Sequence, residues 1–306
     1  MKKKKKGKKI SFSTIFLVLI LLVGLGILLY PTVSDYWNSF HQTQAIANYD
    51  DAVAELDETD YEALLKVAEA YNENLRQLNY PFVEHEQLQQ QYNSALDVAG
   101  NGIIGYITIS KIDVELPIYH GTSDAVLNVA VGHLEGSTLP VGGGSTHSVL
   151  SAHRGLPSAK LFTNLDKMEE GDTFTITVLN ELLTYQVDQI LIVEPTQMEA
   201  LNIIPGEDYV TLMTCTPYGI NSHRMLVRGK RIQNASGILK VHAEAAKIPV
   251  YIVMPAIAIP ILFVMLVILL IVYRRKPKKI SLEDIMQLGM EEEKKEEKKD
   301  EEVPKT

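Results

Sequence analysis

Cys215 closes the strand-like run Tyr209-Val-Thr-Leu-Met-Thr-Cys215, and Arg224 opens a second β-like run nine positions later. The chain has 306 residues and no other cysteine. A free thiol titrates near pH 8.5, so little of it is thiolate at neutral pH, and a neighbouring imidazolium or guanidinium raises that fraction. Acyl transfer through sulfur also needs donors where the carbonyl oxygen becomes negative. A Cys, a His and an Arg together can supply nucleophile, acid/base, and oxyanion or substrate clamp.

The histidines open to that role are His41, His85, His120, His133, His147, His153, His223 and His242. His153 follows the apolar run Ser148-Val-Leu-Ser-Ala152 and precedes the turn Arg154-Gly-Leu-Pro157. A side chain at the end of a core strand is held firmly yet reaches a cleft. His147, at the other end of the same run, is its rival. His223 adjoins Arg224 but points to the opposite face if strand pairing begins there. Two other readings stand beside the catalytic one. Cys215 is a buried structural thiol, or it shares a zinc ion with His153 and His223. The spacing lacks the paired-ligand signature of structural zinc, so no metal and no cofactor is expected.

The elements that position these groups begin at a membrane. Phe12 to Tyr30 is almost wholly apolar and approaches the roughly 20 residues a helix needs to cross a bilayer. Lysines crowd positions 2–6, 8 and 9 before it. The run is long for a signal peptide, and no small-x-small cleavage site follows, so an uncleaved anchor is expected. A second apolar run, Ile248 to Tyr273, contains Pro255 and Pro260 and is followed by Arg274, Arg275, Lys276, Lys278 and Lys279. The positive-inside tendency then puts both termini in the cytoplasm and residues 31–247 outside. An unpaired thiol on that oxidising side of a membrane invites a catalytic explanation. The net charge of −9 gives no sign of a nucleic-acid partner.

Apolar residues between Tyr61 and Leu78 recur at spacings of three and four, which predicts a helix, with Thr59 and Glu62 at capping-box spacing. Asn79-Tyr-Pro-Phe82 breaks it, a shorter helical stretch runs from Glu84 to Leu96, and Ala99-Gly-Asn-Gly102 marks a boundary. Beyond Gly102 the character is β. Runs at 103–109, 114–119, 172–178, 183–193, 209–214 and 225–232 are rich in β-branched and aromatic residues. The pattern predicts a mainly β barrel or sandwich. About 130 residues suffice for one core. The expected layout is a cytoplasmic basic segment (1–10), an anchor (11–30), a helical segment with a lid (31–101), a catalytic barrel (102–235), a linker (236–247), a second span (248–273) and a charged tail (274–306).

At this point the chain closely resembles the sortases, the surface transpeptidases of Gram-positive bacteria. The matching residues are Thr211-Leu-Met-Thr-Cys215 with Arg224, Ala152-His-Arg-Gly155 and Leu161-Phe-Thr-Asn-Leu165. Within the family it is similar to the pilus-assembling class C, through Gly105-Tyr-Ile-Thr-Ile109, Leu116-Pro-Ile-Tyr-His-Gly-Thr122, Gly132-His-Leu-Glu-Gly136, His153-Arg-Gly-Leu-Pro-Ser-Ala159 and Cys215-Thr-Pro-Tyr-Gly-Ile-Asn221. The likeness spans about Gly102 to Ile232. It implies an eight-stranded sortase β-barrel with Cys215 as nucleophile, His153 as acid/base and Arg224 as substrate or oxyanion stabiliser. It also implies Thr214 and Tyr218 as substrate contacts. By the same resemblance, Cys215 cleaves an LPXTG-type sorting signal between Thr and Gly, and a pilin lysine resolves the thioacyl enzyme. The implied partners are pilin subunits and the lipid bilayer.

Class C sortases carry a lid with an Asp-Pro-aromatic motif over the active site. The corresponding place here is Tyr80-Pro81-Phe82, in which Tyr80 replaces the acid. A carboxylate can pair with Arg224, whereas a tyrosine offers only a hydrogen bond. The resemblance therefore implies a lid held by Phe82, whose alternative is a Pro-ended loop packed on the barrel. Two further functions share these residues: a sortase that anchors proteins to peptidoglycan, and a barrel that binds without turnover.

Overall fold

The computed structural model describes residues 12–78, 82 and 85–234, together with 258–260, 262, 263, 265–267 and 286. The chain falls into two units, Gly24–Tyr251 and Met1–Val23 with Ile252–Thr306. In the second unit the described residues are the start of the first helix and the short helical stretches beyond residue 257. The expected second span, 248–273, lies largely outside the described residues, and a crossing there rests on the sequence alone.

Helix α1 runs unbroken from Phe12 to Ala54 with Pro31 inside it. The anchor expected to end at Tyr30 and the start of the helical segment expected from residue 31 are thus one element. Among the described residues it is the one helix long and apolar enough to cross a membrane. Its last turns bury Ile46, Tyr49 and Val53. The Tyr49 hydroxyl donates to the Ile104 carbonyl (3.2 Å) and accepts from the Leu179 N–H (2.7 Å). Helix α2 (Glu58–Arg76) is capped by Asp57, whose side chain accepts from the Asp60 N–H. Thr59 lies inside the first turn, so it is not the cap that the Thr59/Glu62 spacing predicts. Asn72 of α2 is buried and bonds both the N–H (2.7 Å) and the carbonyl (3.1 Å) of Leu139. Helix α3 spans Glu86–Ser94.

The strands are β1 (Ile103–Ile109), β2 (Val114–His120), β3 (Val131–His133), β4 (Thr146–Ser151), β5 (Thr173–Val178), β6 (Glu181–Val193), β7 (Asp208–Thr216) and β8 (His223–Ile232), with one helical turn, α4 (Asp124–Leu127), before β3. They close into a barrel in the order β1-β2-β3-β4-β7-β8-β6-β5. The β2/β3 and β4/β7 pairs are parallel and the others antiparallel. The eight-stranded barrel with N-terminal helices is therefore as expected, with β3 an addition too short for its pattern to show.

Because strand side chains alternate between faces, β7 divides cleanly. Val210, Leu212 and Thr214 point into the barrel core, with Leu150 of β4 and Val227 of β8. Tyr209, Thr211, Met213 and Cys215 point outward. Gly229 of β8 lies against the stacked rings of Phe174 and Tyr185, where a Cβ would come within 2.6 Å of Phe174.

Tyr49→Phe leaves a buried N–H and a carbonyl without a partner. The expected loss is about 1–3 kcal/mol, read as a lower urea midpoint with unchanged slope.

Candidate active site

The outward faces of β4, β7 and β8 form the site. Cys215 pairs directly with Arg224 across the antiparallel β7/β8 ladder. Directly opposed side chains in such a ladder have Cβ atoms about 4.5–5.5 Å apart. On its other side β7 pairs in parallel with β4, in a register that ends at Ser151↔Met213. Continuing that register by two residues brings His153 level with Cys215 on the same face. The continuation is held by hydrogen bonds. The Ala152 N–H donates to the Met213 carbonyl (3.2 Å), and the Thr214 hydroxyl donates to the Ala152 carbonyl (2.8 Å). His153, Cys215 and Arg224 thus lie side by side on three neighbouring segments, each partly exposed.

The turn after His153 is closed on itself. The His153 carbonyl accepts from the Phe162 N–H (3.1 Å), and the Gly155 N–H donates to the Thr163 hydroxyl (3.0 Å). Arg154 pairs with Asp166 at 2.6 Å. Phe162 and Leu165 root the turn in the core. Helix α1 clamps its far end: Asn38 donates to the Ser158 carbonyl and the Asp35 carboxylate accepts from the Lys160 N–H, both at 2.9 Å. These anchors were not legible in the sequence, because their partners lie more than a hundred positions apart.

Tyr218 stands on the β7–β8 loop, which opens with the cis Thr216–Pro217 bond. The residue is 60% exposed, and its ring lies against Gly155. That glycine has φ +76°, and a Cβ there would come within 2.6 Å of the ring. Tyr218 therefore flanks the turn that carries His153. Thr214 differs from expectation. It is 1% exposed on the inner face, and its hydroxyl is spent on Ala152, so it holds the site from behind and does not face a substrate.

Arg224 is steadied by its own loop, donating from Nη1 to the carbonyls of Asn221 and His223 at 3.2 Å. It has no carboxylate partner among the described residues. His223 pairs with Thr216 at the start of β8, one residue from Arg224 and hence on the opposite face, as the alternation predicts.

The rival His147 shares the outer face of β4, but it pairs with Tyr209, six residues before Cys215. Its ring is buried between the Thr211 hydroxyl (2.7 Å) and the Asn202 carbonyl (2.9 Å), so it ties down the β6–β7 connection. His133 is wholly buried. Its Nε2 lies 2.8 Å from the Thr138 carbonyl and therefore carries the ring proton, and its Nδ1 lies 3.0 Å from the Tyr92 hydroxyl. Burial lowers the pKa of His120, His133 and His147, that of His133 to about 3.

An apolar cluster on the outer face adjoins the site. Val149, Leu201 and Leu226 are buried in it, and Leu191, Val193, Met198, Ala200 and Met213 pack around them. Phe82 inserts into this cluster and is itself half-buried. The rest of the expected lid, Tyr80 and Pro81, lies outside the described residues.

The family model described as the sortase domain matches residues 107–232. Sortase C1 of Streptococcus agalactiae is 50% identical in sequence, with a TM-score of 0.61 over 63% of this chain and 100% of that one. A sortase C of Streptococcus pneumoniae is 46% identical, with a TM-score of 0.56 over 64% and 100% of the two chains. Among curated relatives, sortase A of S. agalactiae is 30% identical over 37% of this chain and 47% of its own length. Sortase D of Bacillus subtilis is 30% identical over 42% and 63%. The chain thus spans about half the length of the curated relatives it matches.

A histidine with a depressed native pKa binds its proton more readily when unfolded, so stability falls as pH drops below the unfolded value. For His133 that window runs from about pH 6.5 down to about 3. Its expected slope is roughly 1.4 kcal/mol per pH unit. Urea unfolding at stepped pH should show a shallower acid slope in His133→Asn than in the parent, and equal slopes would contradict this.

Proposed function

Because the chain belongs to the sortase family, and to its class C, we propose that it is a membrane-anchored cysteine transpeptidase that polymerises pilins. The observation that carries this reading is the alignment of His153, Cys215 and Arg224 on one outer face of three adjoining segments. Sγ of Cys215 attacks the threonine carbonyl of an LPXTG-type sorting signal. Arg224 faces the carbonyl oxygen as it becomes negative. The C–N bond to glycine breaks, and His153 passes the thiol proton to the departing amine. A thioester to Cys215 remains. The ε-amine of a pilin lysine then attacks it through the same oxyanion position. The amine gives up its proton by way of His153, the sulfur returns to thiol, and an isopeptide bond links the subunits.

The apolar cluster beside Met213 and Leu226 suits the apolar residues of the signal, with Tyr218 flanking the opposite side of the site. Phe82 occupies that cluster, which supports its role as the plug of a lid. Without an acid at position 80, the plug is held by apolar contact and not by an ion pair with Arg224. The basic flanks of both apolar runs support an external catalytic domain with both termini in the cytoplasm, the second span included.

Cys215→Ala should form no thioester with a sorting-signal peptide by mass spectrometry. Arg224→Ala should acylate about a hundredfold to a thousandfold more slowly, the usual effect of losing an oxyanion donor. His153→Ala should slow acylation and transfer together, whereas His147→Ala should lower stability first. Incubation with pilin should give ladders on denaturing gels. A thioester resolved only by cell-wall precursor would replace pilus assembly with peptidoglycan anchoring. Absence of any thioester would leave a binding domain.

Full burial of a phenylalanine stabilises by about 1.5–3 kcal/mol, and Phe82 is half-buried. Phe82→Ala should therefore speed thiol labelling of Cys215 by up to about tenfold. An unchanged rate would count against the plug.

A further inference from the structure

Helix α1 carries two sets of side chains on opposite sides of its outer half. At 3.6 residues per turn, Asn38, Gln42, Ile46, Tyr49 and Val53 share the side that meets the barrel. Gln42 donates to the Val129 carbonyl and Asn38 to that of Ser158, while Ile46, Tyr49 and Val53 are buried. Tyr30, Val33, Trp37 and Phe40, at spacings of three, four and three, fall on the other side. They are 58%, 58%, 64% and 57% exposed. His41 packs on the rings of Trp37 and Phe40, and its Nδ1–H donates to the Trp37 carbonyl (2.8 Å).

What covers this stripe follows from where it lies. It follows directly, in the same unbroken helix, on an apolar stretch that is exposed on its other sides too, as at Ile27 and Leu28. Between Lys9 and Asp50 the only Asp, Glu, Lys or Arg is Asp35, and its carboxylate accepts from the backbone N–H of Lys160 on the barrel side. The stripe itself has no charge. Trp and Tyr next to an apolar span are the residues that settle at the headgroup level of a bilayer. Phe40 lies ten residues past Tyr30, about 15 Å along the axis. The polar layer of one leaflet is only about 5–8 Å deep. An upright helix would lift Trp37 and Phe40 out of that layer into water. Near 40°, the top of the usual tilt range, the rise to Phe40 falls to about 11 Å, and side chains about 5–6 Å off the axis on the lower side reach down by about a further 3 Å, which brings Trp37 into the layer and Phe40 to its outer edge.

We propose that α1 leaves the membrane obliquely, with Tyr30, Val33, Trp37 and Phe40 seated in the lipid interface of the outer leaflet. The barrel then rides on the upper side of the helix. Asp35 and Asn38 hold residues 158–160 at the level of the stripe, so the turn that carries His153 works close to the bilayer surface. This inference rests on the membrane-anchored reading above and adds to it the face that meets lipid.

Trp37 is the chain's single tryptophan, so its fluorescence reports this face alone. The full chain is reconstituted into phosphatidylcholine vesicles, with and without lipids brominated high on their acyl chains. The expected result is blue-shifted emission that loses most of its intensity to the brominated lipid and little to aqueous acrylamide. Phe40→Glu should shift the emission to the red and restore acrylamide quenching, while labelling of Cys215 by a small thiol reagent stays unchanged. Efficient acrylamide quenching with no effect of brominated lipid, in a chain that survives an alkaline wash of the vesicles, overturns the inference. Shielding from both quenchers also overturns it, since protein and not lipid would then cover the stripe. A chain that washes off the vesicles defeats the anchored reading itself.

Discussion

The parallel ladder between β4 and β7 decides whether this protein has a site at all. Its register aligns Ser151 with Met213, and two further hydrogen bonds about Ala152 carry the alignment to His153 and Cys215. A slip of one residue would turn Cys215 into the core and bring Thr214 out, because strand faces alternate. The register is protected by burial on both sides. Leu150, Val210 and Leu212 fill the barrel, while Val149 and Leu226 lie under the outer cluster. The second ladder, β7 to β8, then brings Arg224 to the same face without further help.

The outer cluster gives the barrel a feature that a purely structural sheet avoids. Contiguous apolar surface on a soluble domain marks a place where something binds. Here the β6–β7 connection builds its walls and Phe82 fills part of it. His147 fastens that connection from below, through Asn202 and Thr211. The histidine that rivals His153 in sequence thus supports the cleft floor, and its burial suits a group that stays uncharged.

Much of this is legible in the sequence, for physical reasons. Long runs of β-branched residues marked six strands, and the nine-residue spacing from Cys215 to Arg224 fits a strand pair joined by a short loop. The opposite face of His223 followed from alternation. The same rule, applied one residue from Cys215, places Thr214 inside. The three residues of β3 are too few to show a period. Pro31 and the change of composition after Tyr30 hid the continuity of α1. Face alone did not separate His147 from His153, since both lie outward on the same strand line. Only the partner strand's register did, and register between distant segments is not written in local pattern. The clamps from Asp35 and Asn38 were invisible for the same reason.

The register itself can be measured by chemistry. Neighbouring strands lie about 4.8 Å apart, and a disulfide spans Cα atoms about 4.4–6.8 Å apart. His153→Cys in the isolated external domain, exposed to mild oxidant, should therefore close a disulfide between positions 153 and 215. Mass spectrometry would show the loss of two hydrogens and no alkylated thiol. Two freely alkylated thiols after oxidation, in a protein that remains folded, would contradict the placement of His153 beside Cys215 on which the mechanism depends.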